Sequence, residues 1–255
     1  VKRLAVGLLV LLFAACPPSR VPTVDLAPGT TFEGALAQGE AAFAQRPDAG
    51  AVRAALQAFQ RAALAGSERL EGPIGVVRAS AWLIEHGAKD DRGSIVAAAT
   101  AAGEQCQARA PGSAPCDYWQ AVALGLAARE QPLTALGRLP KIIELLKRAD
   151  AASPALDEAG PARVLALLLV RAPGWPTGPG NPDEALVAAE AAVARAPAHP
   201  LNELARGECL VAVGDEAGAR AAWQRAEQLA RERKDADGEE WAAQAAAALA
   251  KLGPP

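Results

Sequence analysis

Along most of the chain, apolar residues recur three and four positions apart. Pro and Gly close each run after a few turns, which is the signature of short amphipathic helices. Over residues 31–66 two such runs flank the breaker Arg46-Pro47-Asp48-Ala49-Gly50, and the second places Leu56, Phe59 and Ala63 on one face. A second helix pair is predicted over residues 76–86 and 94–109, around a polar turn at 87–93 whose charges are most simply solvated. A third pair is predicted over 117–129 and 139–149, ended by Pro154. Residues 164–170 are apolar on every side, which suits the middle of a stack rather than a surface helix, and Gly160 and Pro161 fit the cap and first turn of that helix. A last amphipathic run, 237–252, carries Trp241 on its apolar side and fits a terminal cap.

The clearest long-range order lies between residues 160 and 232. Ala185, Ala189 and Ala192 recur as Ala219, Trp223 and Ala226, each 34 residues further on, and 34 is the tetratricopeptide period. In such a unit small residues let two helices approach closely, a larger residue fills the gap between units, and a breaker ends each one. Gly207 takes the tight-packing position, Gly214 the turn, Trp223 the bulky position, and Pro197 closes the preceding unit. The predicted fold is therefore all-α, with tetratricopeptide-like helix pairs stacked into an α-solenoid or bundle over residues 31–235, followed by a capping helix over 236–255. Composition agrees: 51% of residues are hydrophobic and only 4% aromatic, and Ala and Leu dominate.

Charge narrows the set of partners. The formal net charge is −3, and no basic stripe exists to neutralise a phosphate backbone, so nucleic acid is excluded as a partner class. At the start, Lys2 and Arg3 precede an apolar run from Leu4 to Ala15 that is too short to span a bilayer, which reads as a signal peptide over residues 1–15. The run ends Phe13-Ala14-Ala15-Cys16, which resembles a bacterial lipobox although Phe13 replaces the usual Leu or Val. Cys16 is then the expected lipidation site, carrying acyl chains such as palmitate. Residues 16–30, with four prolines, form a flexible tether. The expected location is the bacterial cell envelope, facing the periplasm and held to a membrane through acylated Cys16.

Candidate chemistry is sparse. Cys106 and Cys116 flank Pro111, Gly112 and Pro115 across a short helix-to-helix turn, so a disulfide is expected, whereas Cys209 lies within an apolar helix and reads as a small hydrophobe. The two histidines, His86 at a helix end and His199 between Pro197 and Pro200, have no second ligand at metal spacing. Glu239 and Glu240 are adjacent on a helix and so lie on different faces. No nucleophile elbow or phosphate loop occurs. The reading is a non-enzyme with neither cofactor nor metal.

Residues 171–182, rich in Pro and Gly around Trp175, interrupt what should be a tight turn. The segment is either a binding contact or a solvent-exposed spacer. Three features together, Gly160-Pro161-x-Arg163-Val164-Leu165, the Ala172-Pro173-Gly174-Trp175 loop and the Asp117-Tyr118-Trp119 helix start, resemble the T-component lipoproteins of TRAP-type transporters. The resemblance covers roughly residues 30–232 and departs from the family at Gly180-Asn181-Pro182-Asp183, where Gly-Gly-Asp is usual. It implies helix pairs around an internal cavity or pore, with a periplasmic solute-binding protein as partner. By analogy with tetratricopeptide repeats, Leu201, Leu204, Glu208, Val211 and Ala212 face the groove and give it a mostly apolar lining; Arg163 and Trp175 complete the expected binding residues. Two functions follow: an interaction module holding a partner protein or an apolar small molecule, or a structural envelope lipoprotein without a ligand. A deep cavity would separate them.

Overall fold

A computed structural model describes residues 25–87, 91–235 and 237–253; the expectations for the signal peptide, for Cys16 and for most of the tether lie outside the described residues. Among these there are eleven α-helices and no strand. They follow one another as α1 (Phe32–Phe43), α2 (Ala49–Ala65), α3 (Glu71–His86), α4 (Arg92–Arg109), α5 (Ala114–Glu130), α6 (Pro132–Ala152), α7 (Gly160–Arg171), α8 (Pro182–Arg195), α9 (Pro200–Ala212), α10 (Glu216–Glu232) and α11 (Gly238–Leu252). Each packs on its neighbours in sequence, and odd-numbered helices also meet odd-numbered ones, as in α3 on α5 and α7 on α9. This is an α-solenoid of five helix pairs with α11 added at the end.

Local sequence explains where the helices begin. Thr31, Asp48, Asn181 and Asp215 each cap a helix through a side-chain oxygen that accepts a backbone N–H of the first turn. Pro182 and Pro200 occupy first turns, where no N–H is needed. The third pair shows where sequence punctuation misleads. Pro132, Gly137 and Pro140 suggest a break before residue 139, yet α6 starts at Pro132 and runs through Pro140 to Ala152. Pro132 serves as the first helical residue, and Pro140 forfeits one internal hydrogen bond while Ile142, Leu145, Leu146 and Ala149 are buried just beyond it.

The 34-residue pattern belongs to the end of the stack. Ala185, Ala189, Ala192, Ala219 and Ala226 are fully buried, and Trp223 is nearly so. A Cβ at Gly207 would stand 2.1 Å from Trp223 Nε1, which donates to the Leu204 carbonyl at 3.2 Å, so the glycine is what lets α9 and α10 approach. Gly214 turns the chain between them at φ +86°. Earlier units are longer. Ion pairs that tie successive units together join residues 37 or 38 apart: Arg78 to Glu40, Arg53 to Asp91, Arg92 to Glu130, Lys147 to Glu184 and Arg171 to Glu208.

Two apolar clusters fill the stack. One is built on Phe43, Phe59, Val77, Leu83, Ile84, Ile95 and Leu126, the other on Tyr118, Ile142, Leu145, Leu146, Leu165, Leu169 and Cys209. The apolar run of α7 sits in the second, with no residue from Val164 to Val170 exposed, and no helix among the described residues is long and apolar enough to cross a membrane. Cys106 and Cys116 are joined by a disulfide with Cα atoms 5.3 Å apart, pinning the end of α4 to the start of α5.

Candidate binding cavity

A cavity of about 920 Å³ opens on the inner side of the solenoid. Its wall comes from the odd-numbered helices and the turns beside them; α10 adds Trp223, while α2, α4, α6 and α8 contribute nothing. The odd helices thus face inward and the even ones form the outer layer. Four of the chain's five tryptophans, Trp82, Trp119, Trp223 and Trp241, line it. Fourteen of its 27 lining residues are ionisable, so the mostly apolar lining implied by the repeat analogy is corrected. The analogy considered one helix of the last repeat, whereas charged side chains enter from the turns: Arg46 between α1 and α2, Asp157 and Glu158 before α7, and Arg233 and Asp237 before α11.

Most of these charges are neutralised within the wall. Arg46 binds Asp237, Arg171 binds Glu208, Arg163 binds Asp157, and His86 and His199 meet Glu240 and Glu158. Arg163 is the most buried of the arginines in this wall, at 6% exposure. Its guanidinium donates to Asp157 Oδ2 at 3.1 Å, to Asn202 Oδ1 at 2.9 Å and to the backbone carbonyls of Asp157 and Glu158. Tyr118 donates to the same Asp157 oxygen at 2.6 Å, and burial together with that carboxylate keeps its hydroxyl protonated well above the usual phenol range. Asn202 donates to the carbonyls of Glu158, Ala192 and Ala196. The network holds an uncommon backbone: Asp157, Glu158 and Ala159 all have positive φ (49°, 52° and 65°), at roughly 1–2 kcal/mol of strain per residue. Gly160 must follow, because a Cβ there would sit 2.5 Å from the Tyr118 hydroxyl.

The two histidines behave oppositely. His199 caps α9 by accepting the Leu201 N–H at Nδ1, so its proton resides on Nε2, 3.2 Å from Glu158 Oε2, and its ring lies 5.2 Å from that of Trp241. Burial first, then the positive fields of Arg163 and Arg233, lower its pKa to about 3. His86 stacks on Trp82 at 4.3 Å, with Nδ1 2.8 Å from the Trp82 carbonyl and Nε2 2.8 Å from Glu240. Burial opposes its charge, but these two acceptors outweigh it and raise the pKa. In the sequence one histidine reads as a helix end and the other as a turn residue; nothing local marks them as wall residues of one cavity.

Of the residues singled out in the sequence, Arg163, Leu201, Leu204 and Glu208 line the cavity. Val211 and Ala212 are exposed on the last turn of α9, outside the lining. Trp175 lies elsewhere, 89% exposed on the loop between α7 and α8, neither packed on the stack nor in the wall. That loop holds itself through Gly180 N–H to the Pro173 carbonyl and Asn181 N–H to that of Leu169. Cys209 is fully buried, and burial pushes its thiol up to about 12. Among the described residues no three His, Cys, Asp or Glu side chains gather as metal ligands.

The crystal structure of TTC0263, a thermophilic TPR protein of Thermus thermophilus, superposes on the chain with a TM-score of 0.66 at 20% identity, covering 86% of this chain and 100% of that one. The fold is that of a tetratricopeptide-repeat protein. A crystal structure of MamA protein aligns more loosely, with a TM-score of 0.47 at 15% identity over 79% of this chain and 92% of that one, and adds nothing to the assignment. No protein-family model and no curated protein matches the chain, so the likeness to the T-component lipoproteins remains a likeness at the level of motifs. The tetratricopeptide architecture makes sense of the layering, with first helices of each unit inside and second helices outside.

Proposed function

We propose that the protein is a tetratricopeptide-repeat interaction module of the bacterial envelope, tethered through acylated Cys16, that receives an organic ligand or a segment of a partner protein in its inner cavity. The observation that carries this reading is the clustering of four of five tryptophans on the inner wall of a cavity of about 920 Å³, within the size range of small-ligand sites. Indole faces offer apolar contact, and the carboxylates and guanidinium groups beside them favour an occupant with polar groups over the purely apolar molecule first expected. The ionisable groups are largely engaged with one another, which supports binding without chemistry.

The partner we propose is a periplasmic solute-binding protein, the role that the T-component likeness suggests. Gentle detergent extraction of the full chain, followed by mass spectrometry of what co-purifies, tests it. Recovery of a solute-binding protein in stoichiometric amount supports the assignment. Its absence, with the chain extracted intact, removes the transporter role and leaves the cavity to be explained by another partner.

A further inference from the structure

The ring of the solenoid is closed by α11, and the closure is polar. Shared apolar clusters run through α1 to α9, but no cluster among the described residues joins α11 to the first three helices. Among the described residues two polar contacts bridge that seam. Arg46 donates from Nε and Nη2 to both oxygens of Asp237 at 2.8 Å, and His86 Nε2 lies 2.8 Å from Glu240. Both donors belong to the N-terminal side and are already fixed there. Arg46 binds the Phe43 carbonyl and lies 4.0 Å over the Phe43 ring, while His86 is held by the Trp82 carbonyl and ring. Both acceptors sit at the start of α11, where the helix dipole keeps carboxylates stable even when released. Such partly exposed polar contacts exchange readily with water, so this seam is where the ring opens most easily.

The His86 geometry makes one of the contacts depend on a proton. The Trp82 carbonyl can only accept, so Nδ1 must carry hydrogen. Nε2 then donates to Glu240 only when the ring is an imidazolium; in the neutral ring a lone pair faces the carboxylate. We propose that α11 is a proton-operated gate of the cavity, closed while His86 bears its second proton and, when that proton is lost, held to the N-terminal repeats by the Arg46–Asp237 pair alone, so that the seam opens more often. The proposal rests on the reading of the cavity as a binding site and adds how it is opened. The charged groups around His86 are Glu240 from α11, whose Oε1 also accepts from Gln244, Glu85 on α3 with Arg129 of α5 at 3.5 Å, Arg171 of α7, whose charge lies in the field of Glu85, and Arg92 of α4, bound to the Ile84 carbonyl and to Glu130. The raised pKa of His86 agrees with the closed form being the protonated one, while His199, at about 3, stays neutral throughout the relevant range.

Acrylamide quenching of tryptophan fluorescence tests the gate without any ligand. In the full chain carrying Trp175→Phe, the four remaining tryptophans all line the cavity. The quenching constant is expected to rise roughly twofold or more between pH 6 and pH 9 as the seam opens. It is expected to be high at both pH values in Asp237→Asn with Glu240→Gln, and low at both in His86→Lys, whose ammonium keeps its charge up to about pH 10. Equal quenching at pH 6 and pH 9, or the same rise in His86→Lys, overturns the proposal. If the double variant is unfolded by circular dichroism, the His86→Lys comparison decides alone. Because no ligand is added, a failure here leaves the cavity standing as a binding site, and a failed search for an occupant leaves the gate standing.

Discussion

Arg46 and Asp237, 191 residues apart, form a two-pronged ion pair with both nitrogen–oxygen distances at 2.8 Å. A repeat stack grows by contacts between neighbours, so an ion pair of this span means that the superhelix has turned far enough to bring its two ends together. That closure converts the inner face of a solenoid from an open groove into a cavity.

The packing of Gly207 against Trp223 gives a sharp stability prediction. In Gly207→Ala the new methyl meets the indole at 2.1 Å with backbone on the far side, so α9 and α10 must separate. A loss of about 1–3 kcal/mol is expected in denaturant unfolding. A change within experimental error would mean that the two helices are not held as close as described.

Arg163 is expected to be far more sensitive than the surface arginines. Arg163→Met leaves Asp157 with the Tyr118 hydroxyl alone, and leaves Asn202 Oδ1 and the carbonyls of a left-handed turn without that donor, at about 1–3 kcal/mol. Thermal unfolding of this variant beside Arg53→Met, an exposed pair, checks the contrast.

Acid sensitivity follows from His199. Its pKa is about 3 in the folded chain, below its ordinary 6.5, so between these values the unfolded chain binds the extra proton and stability falls as pH falls. This contribution is fully present above pH 6.5 and is lost at about 1.4 kcal/mol per pH unit on the way down. The pH dependence of unfolding should therefore be shallower in His199→Gln than in the parent over that window; identical slopes would contradict the burial of a neutral imidazole.

Reducing the Cys106–Cys116 bridge should lower stability by about 2.8 kcal/mol in the chain-entropy account of a short loop. Unfolding midpoints of the parent and of Cys106→Ala with Cys116→Ala, each with and without reductant, isolate the effect, since Cys209 is buried and common to both.

What could be read in the sequence was what neighbours determine. Helix pairs, the 34-residue spacing of Ala185 and Ala219, and the need for a glycine opposite Trp223 are local or between adjacent units, and periodicity reports them directly. Ring closure is the sum of small rotations over five units, and no residue near Arg46 or Asp237 advertises the other. The resemblance implied an internal cavity and the repeat analogy named Leu201, Leu204 and Glu208 in its wall, but the roles of Trp82, His86, Trp119, His199 and Trp241 escaped the sequence. Trp175 attracts notice because its loop is unusual, yet it is exposed to solvent while four less conspicuous tryptophans form the wall. The third pair shows the opposite error, since the helix expected to start at residue 139 already begins at Pro132 and runs through Pro140 to the buried residues beyond it.

The central claim is that the inner cavity, and not the loop bearing Trp175, receives the occupant. A photo-reactive amino acid placed singly at Leu204, in the wall, and at Trp175, on the loop, and irradiated in cells, tests this most directly. The account predicts a discrete crosslinked product from position 204 that is weakened by Trp119→Ala, and none from position 175. A product from position 175 alone, with position 204 silent in a folded chain, would contradict it.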